Sequence, residues 1–147
     1  MNYAQRQADL VSSLVAGADD PAGFDAARLA AARAALLRKR AGEVAAAWPE
    51  LRLALGTRWS DRFAEWARDR RPAGALSDGW SLARELGAEL PPAARVELAA
   101  RECTHRFDGL GPPIPRRGPA LRLVAGHLIV RFGGRMWIWN RNRSSTV

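Results

Sequence analysis

Near residue 103 the hydrophobic period of this chain changes. Upstream, apolar residues recur at three- and four-residue steps. Downstream they alternate with period two. Between the two regimes stands Asp108-Gly109-Leu110-Gly111-Pro112-Pro113-Ile114-Pro115, which no helix can cross. The pattern predicts a mainly α (α+β) chain in three parts: a helical domain over residues 1–102, a Gly/Pro/Arg-rich linker over 103–118, and a small three-stranded antiparallel β-meander with a basic tail over 119–147. At 147 residues the chain suffices for one compact domain or two small ones.

In the helical part a first helix is expected over 2–15, with Leu10, Leu14 and Val15 inward, broken by Asp19-Asp20-Pro21. A long second helix should start near Asp25, a good N-cap, with Phe24 just outside. Its apolar stripe is Leu29, Ala32, Leu36, Leu37, Val44 and Trp48. Pro49 to Leu55 reads as a short helix opened by proline, closed by Gly56, with Thr57 capping the next. That fourth helix carries Trp59, Phe63 and Trp66, and a loop follows over Asp69 to Gly74. Ser77 or Asp78 caps a fifth helix bearing Trp80, Ala83 and Leu86; Pro91-Pro92 opens a sixth with Val96 and Ala99 inward. The tryptophans at 48, 59, 66 and 80 lie on stripes that must face a core, so packing is their expected role, and base stacking the alternative. Arg38-Lys39-Arg40 reads as a solvated basic run.

Gly133-Gly134 and Ala125-Gly126 both suit two-residue hairpin turns. Pairing on them sets Phe132 opposite Arg135, Val130 opposite Trp137 and Leu128 opposite Trp139, then Leu123 opposite Leu128 and Leu121 opposite Val130. One face then holds Leu121, Leu123, Leu128, Val130, Phe132, Trp137 and Trp139. The other holds Arg122, Val124, His127, Ile129, Arg131, Met136 and Ile138. The first face should pack on the helical domain or on a partner, because three strands alone are marginal. The second, of mixed character, should be partly buried.

The formal net charge is +8, and its distribution is lopsided. Residues 1–102 carry 15 basic and 14 acidic side chains, whereas residues 103–147 carry eight arginines against Asp108. An anionic partner at the C-terminal third is implied: an acidic peptide, a protein face, or nucleic acid. Lys39 is the sole lysine. Codon bias of a GC-rich genome explains that, and a guanidinium's fixed fork also suits carboxylate or phosphate recognition.

Catalytic chemistry finds little footing. Cys103 is the only cysteine, and with His105 it offers two ligands where structural zinc takes four. A Cys/His nucleophilic pair would need an orienting group and an oxyanion hole as well. His127 is expected at the sheet rim. No dinucleotide fingerprint or Walker motif is visible. No apolar run nears the ~18 residues of a membrane span, and the start lacks the look of a secretory signal, so a cytoplasmic location is expected.

The helical part has a further character. Leu36-Leu37-Arg38-Lys39-Arg40 leads through Val44 to Trp48-Pro49, then Leu53-Ala54-Leu55-Gly56. Arg62-Phe63-Ala64-Glu65-Trp66-Ala67 follows, then Arg71-Pro72 and Leu76-Ser77-Asp78-Gly79-Trp80, and the run from Leu90-Pro91-Pro92 to Glu102 closes it. Over roughly 24–102 this resembles the N-terminal helical domain of partner proteins of multinuclear nonheme iron-dependent oxidative enzymes, a domain also labelled DNA-binding. The chain departs from the pattern in its tyrosines, of which Tyr3 is the only one. The resemblance implies a non-catalytic subunit that holds the oxidase and presents its ribosomally made precursor peptide. It implies no cofactor of the chain's own, with any iron belonging to the partner.

The expected capture surface is the β-element. An edge strand can take an extended peptide as an extra strand. The residues expected to bind it are Arg122, Leu128, Val130, Arg131, Arg135, Trp137, Trp139 and Arg141. Nucleic-acid binding by the basic third is the competing expectation, although no helix-turn-helix with a basic recognition helix stands out.

Overall fold

The computed structural model describes residues 3–16 and 25–141. Among the described residues the order is α1 (Tyr3–Ala16), α2 (Ala26–Ala47), α3 (Pro49–Leu55), α4 (Trp59–Ala67), α5 (Ala75–Leu86) and α6 (Pro92–Thr104), then β1 (His105–Arg106), β2 (Ile114–Pro115), β3 (Ala120–Val124), β4 (His127–Phe132) and β5 (Arg135–Asn140). A helical N-terminal part is thus followed by a three-stranded antiparallel sheet of order β3-β4-β5. The Leu14 and Val15 side chains, the Asp19-Asp20-Pro21 break, Phe24 and the tail beyond Arg141 lie outside the described residues.

Asp25 caps α2, its Oδ1 accepting from the N–H of Ala27 at 2.8 Å. From that start α2 buries Leu29, Ala41 and Val44, and delivers Trp48 into the core. Leu36, expected on the same stripe, is exposed. Neighbouring helical residues point about 100° apart, and Leu37 takes the inward place. The basic run is not wholly solvated either. Arg40 is buried, bidentate to Asp78 of α5 at 2.7 and 3.0 Å, and it donates to the carbonyl of Arg70 at 2.7 Å. Such a buried pair is tolerated because both partners are further hydrogen-bonded, Asp78 also accepting from the N–H of Ala73. Asp78 is therefore engaged elsewhere and caps nothing. Helix α5 starts earlier than expected, after Gly74, whose φ of 96° makes the turn. Thr57 is no cap; it lies inside a 3₁₀ turn, Gly56–Arg58, that runs directly into α4.

Trp48 and Trp80 meet edge to face, centroids 5.8 Å apart, at the centre of a core shared with Phe63, Leu51 and Trp59. Packing is thus the role of Trp48, Trp59 and Trp80, and Trp66 is packed, partly buried, against the same core. The Trp48 indole N–H donates to the carbonyl of Leu76, which presses its ring onto Gly79. Helix α6 supports the same corner from outside. Glu97 accepts from the N–H of Leu51 at 2.9 Å, capping α3 from another helix. Burial raises the Glu97 carboxyl pKa above its ordinary value, against the pull of the Leu51 and Glu50 amides and Arg101. Arg101 lies 4.3 Å over the Trp48 ring and donates to the Ala47 carbonyl.

The segment after α6 folds back on itself. β1 pairs with β2, Phe107 stacks on Trp80 at 5.3 Å, and the Arg116 guanidinium donates to the carbonyls of Glu102 and His105. The meander follows in the expected register: Leu121 opposite Val130 opposite Trp137, Leu123 opposite Leu128 opposite Trp139, and Phe132 opposite Arg135. Both turns carry positive φ at their two central residues, Ala125 and Gly126, then Gly133 and Gly134, as type I′ hairpins require.

The face that docks is the opposite of the aromatic one. Ile129 is fully buried against Ala99 and Cys103 of α6, with Ala120, Val124 and Val96 around it. Among the described residues the aromatic face does not pack on the helical part. The seat offered by Ala99, Ala100 and Cys103 consists of small side chains, and Ile129 fills it.

Two stability outcomes follow from this packing. A Cβ on Gly79 would sit 2.2 Å from the Trp48 ring, whereas one on Gly42 of α2 meets open space. Gly79→Ala should therefore destabilise by about 1–3 kcal/mol, and Gly42→Ala should stabilise by about 0.5–1 kcal/mol, in urea unfolding. Ile129→Ala should cost about 2–5 kcal/mol and Trp139→Ala less than about 1 kcal/mol in the same measurement; the reverse order would mean that the sheet docks by its other face.

Candidate peptide-docking face

The outward face of the meander is a continuous apolar surface. Phe132 is 66% exposed, Leu121 61%, Leu123 56%, Trp139 50% and Trp137 39%, with Leu128 and Val130 half-buried between them. Together they leave on the order of 500 Å² of apolar surface in one patch, as large as the largest patches ordinary monomers show. Two steps apart on β5, Trp137 and Trp139 project to the same side. Their rings stack nearly parallel, 10° apart in tilt with centroids 6.4 Å apart.

β5 is also an open edge. It pairs with β4 on one side, and among the described residues no strand lies on the other. Helix α6 packs beneath β3 and β4, and all six residues of β5 are exposed. Phe132 and Arg135 close the type I′ turn as a hydrogen-bonded pair, so bonded and non-bonded pairs alternate from there. Met136 and Ile138 thus direct their backbone N–H and C=O groups away from β4. Their side chains overhang the rim of α6 and are themselves 42% and 45% exposed.

The four arginines expected to meet a peptide divide into two pairs. Arg122 and Arg131 stand on the helix side of the sheet. Arg122 lies 3.7 Å from the Glu102 carboxylate, and Arg131 donates to the carbonyl of Gly118 at 2.9 Å, so both are occupied in seating the sheet. Arg135 and Arg141 have no side-chain partner among the described residues and are exposed. Arg135 shares the parity of Trp137 and Trp139, and Arg141 stands one residue past the end of β5, where the chain leaves the extended conformation, its backbone N–H donating to the carbonyl of Gly126. Of the eight expected residues, the register places Leu128, Val130, Arg135, Trp137 and Trp139 on one face. The edge-directed backbone groups of Met136 and Ile138, set by the hairpin closure at Gly133-Gly134, were not among the sequence expectations.

Cys103 and His105 sit in different surroundings. Burial raises the Cys103 thiol pKa, with Arg122 and Arg116 opposing, so the neutral thiol packs under Ile129. His105 faces Trp80 edge-on, and its Nδ1 lies 2.9 Å from the Thr104 hydroxyl. His127 is half-buried at the sheet end, its Nδ1 2.9 Å from the Ala125 carbonyl. Among the described residues no group of three His, Cys, Asp or Glu side chains converges as a metal site would, and no helix is long and apolar enough to cross a membrane. A cleft of about 480 Å³ opens between α4 and α5, over Trp66, Leu82 and Leu86. Its Arg62 and Arg70 are already paired with Glu65 and Glu85.

A UPF0276 protein of Streptomyces avermitilis is 36% identical to the chain over 125 residues, which take in 82% of this chain and 25% of that protein. The chain thus spans about a quarter of the length of the curated relative it matches. No solved structure matches it. The family model described as SCO6045-like, C-terminal domain, matches residues 4–88, which end ahead of α6 and the meander. With more than half of its length inside that match, α2 to α5 included, the chain belongs to the SCO6045-like C-terminal domain family.

Proposed function

We propose that the chain is a non-catalytic partner protein that binds a multinuclear nonheme iron oxidase and presents that enzyme's ribosomally made precursor peptide. The observation that carries the peptide half of this reading is the aromatic face, unpartnered among the described residues, beside the edge of β5. Edge pairing supplies backbone hydrogen bonds, and the face supplies side-chain contacts. The oxidase half rests on the resemblance over residues 24–102. In the Streptomyces relative a segment similar to this chain is a quarter of a longer polypeptide. A binding module that works beside a second domain is expected to occur in that arrangement. Any iron belongs to the oxidase.

The test uses the whole chain, co-expressed with an oxidase and a precursor peptide encoded beside it. Peptide affinity is read by fluorescence anisotropy. Ile138→Pro removes an outward N–H while leaving the β4–β5 ladder intact. It should weaken peptide binding by about tenfold or more, with oxidase binding and circular dichroism unchanged. Peptide affinity unchanged from that of the unsubstituted chain in both Ile138→Pro and Trp137→Ala would overturn the reading, as would tighter binding to duplex DNA than to the peptide.

A further inference from the structure

Arg135, Trp137 and Trp139 alternate along β5, and Arg141 stands one residue past its end, so a cation lies at each end of the stacked indoles. A strand added at the edge runs about 4.8 Å from β5, its alternate residues directly opposite Arg135, Trp137 and Trp139, and its next such residue comes level with the end of β5, beside Arg141. We propose that β5 selects an extended segment of the pattern acidic–x–apolar–x–apolar–x–acidic, read in either chain direction because the bracket is symmetric. This deepens the peptide-capture reading and rests on it.

Charge complementarity chooses this occupant over a second copy of the chain. A like face would set arginines against arginines, with no acidic residue among 119–141 to relieve them. The apolar positions extend the indole surface sideways, and the two end carboxylates meet guanidiniums that no other side chain among the described residues holds. The x positions fall on the Met136 and Ile138 side, where the added strand would overhang α6 and side-chain identity matters less.

Short labelled peptides test the pattern against the full chain. The first carries Asp-Thr-Leu-Thr-Phe-Thr-Asp as its centre. The second has the same composition with Leu and Phe adjacent. The third replaces both Asp by Lys. The first should bind at least about tenfold tighter than the other two. Arg135→Glu combined with Arg141→Glu should invert the preference between the first and the third. Equal affinity for the first and second, or no inversion in the charge-reversed variant, would overturn the pattern. If the precursor peptide still binds in an Ile138→Pro-sensitive way, that failure is confined to the pattern. If the precursor does not bind at all, the capture reading itself fails.

Discussion

Helix α6 belongs to two cores at once, and the rest of the architecture depends on that. Ala94 lies in the tryptophan core, while Ala99 and Cys103, further along the same helix, form the seat of Ile129. Through Glu97 and Arg101 the helix also holds the corner where α2 meets α3. One rigid rod therefore fixes the sheet relative to the helices. The strap over residues 105–116 reinforces it, with Arg116 and Arg122 both returning to Glu102 at the rod's end.

The size of the seat explains what the sheet exposes. Alanines and a cysteine give a shallow surface, so the sheet approaches closely and buries one large side chain centrally. Two indoles could be buried only by separating sheet from helix, which would leave voids about Ala99 and forfeit dispersion contacts. The docked face is thus the less apolar of the two. Burial in this region is decided by shape, since the face with more to gain from leaving water is the one the helix cannot receive.

Much of this was legible in the sequence, for physical reasons that differ by region. Both hairpin turns, and through them the register of β3, β4 and β5, followed from Gly133-Gly134 and Ala125-Gly126, because positive φ at two central positions is a local requirement. Asp25 and Pro49 marked helix starts by equally local chemistry. What escaped was long-range. Arg40 reads as one of three cations on a helix surface, and only the fold brings Asp78, 38 residues away, against it. Asp78 in turn was unavailable as a cap, which moved the start of α5. The choice between sheet faces depended on the small residues of α6. Their spacing is visible in the sequence, but their pairing with Ile129 is not.

An exposed apolar face beside an unpaired edge is ordinarily an aggregation hazard. Here the arginines at both ends of β5 and the brevity of the strand limit the danger. Self-pairing would stack cations, and a six-residue edge offers few hydrogen bonds to compensate. The same features that restrain self-association would favour the acidic guest proposed above, whose carboxylates would convert the repulsive ends into attractive ones. Docking one face on α6 also holds the strands in register. The ordering cost of the proposed capture would then fall mainly on the incoming segment.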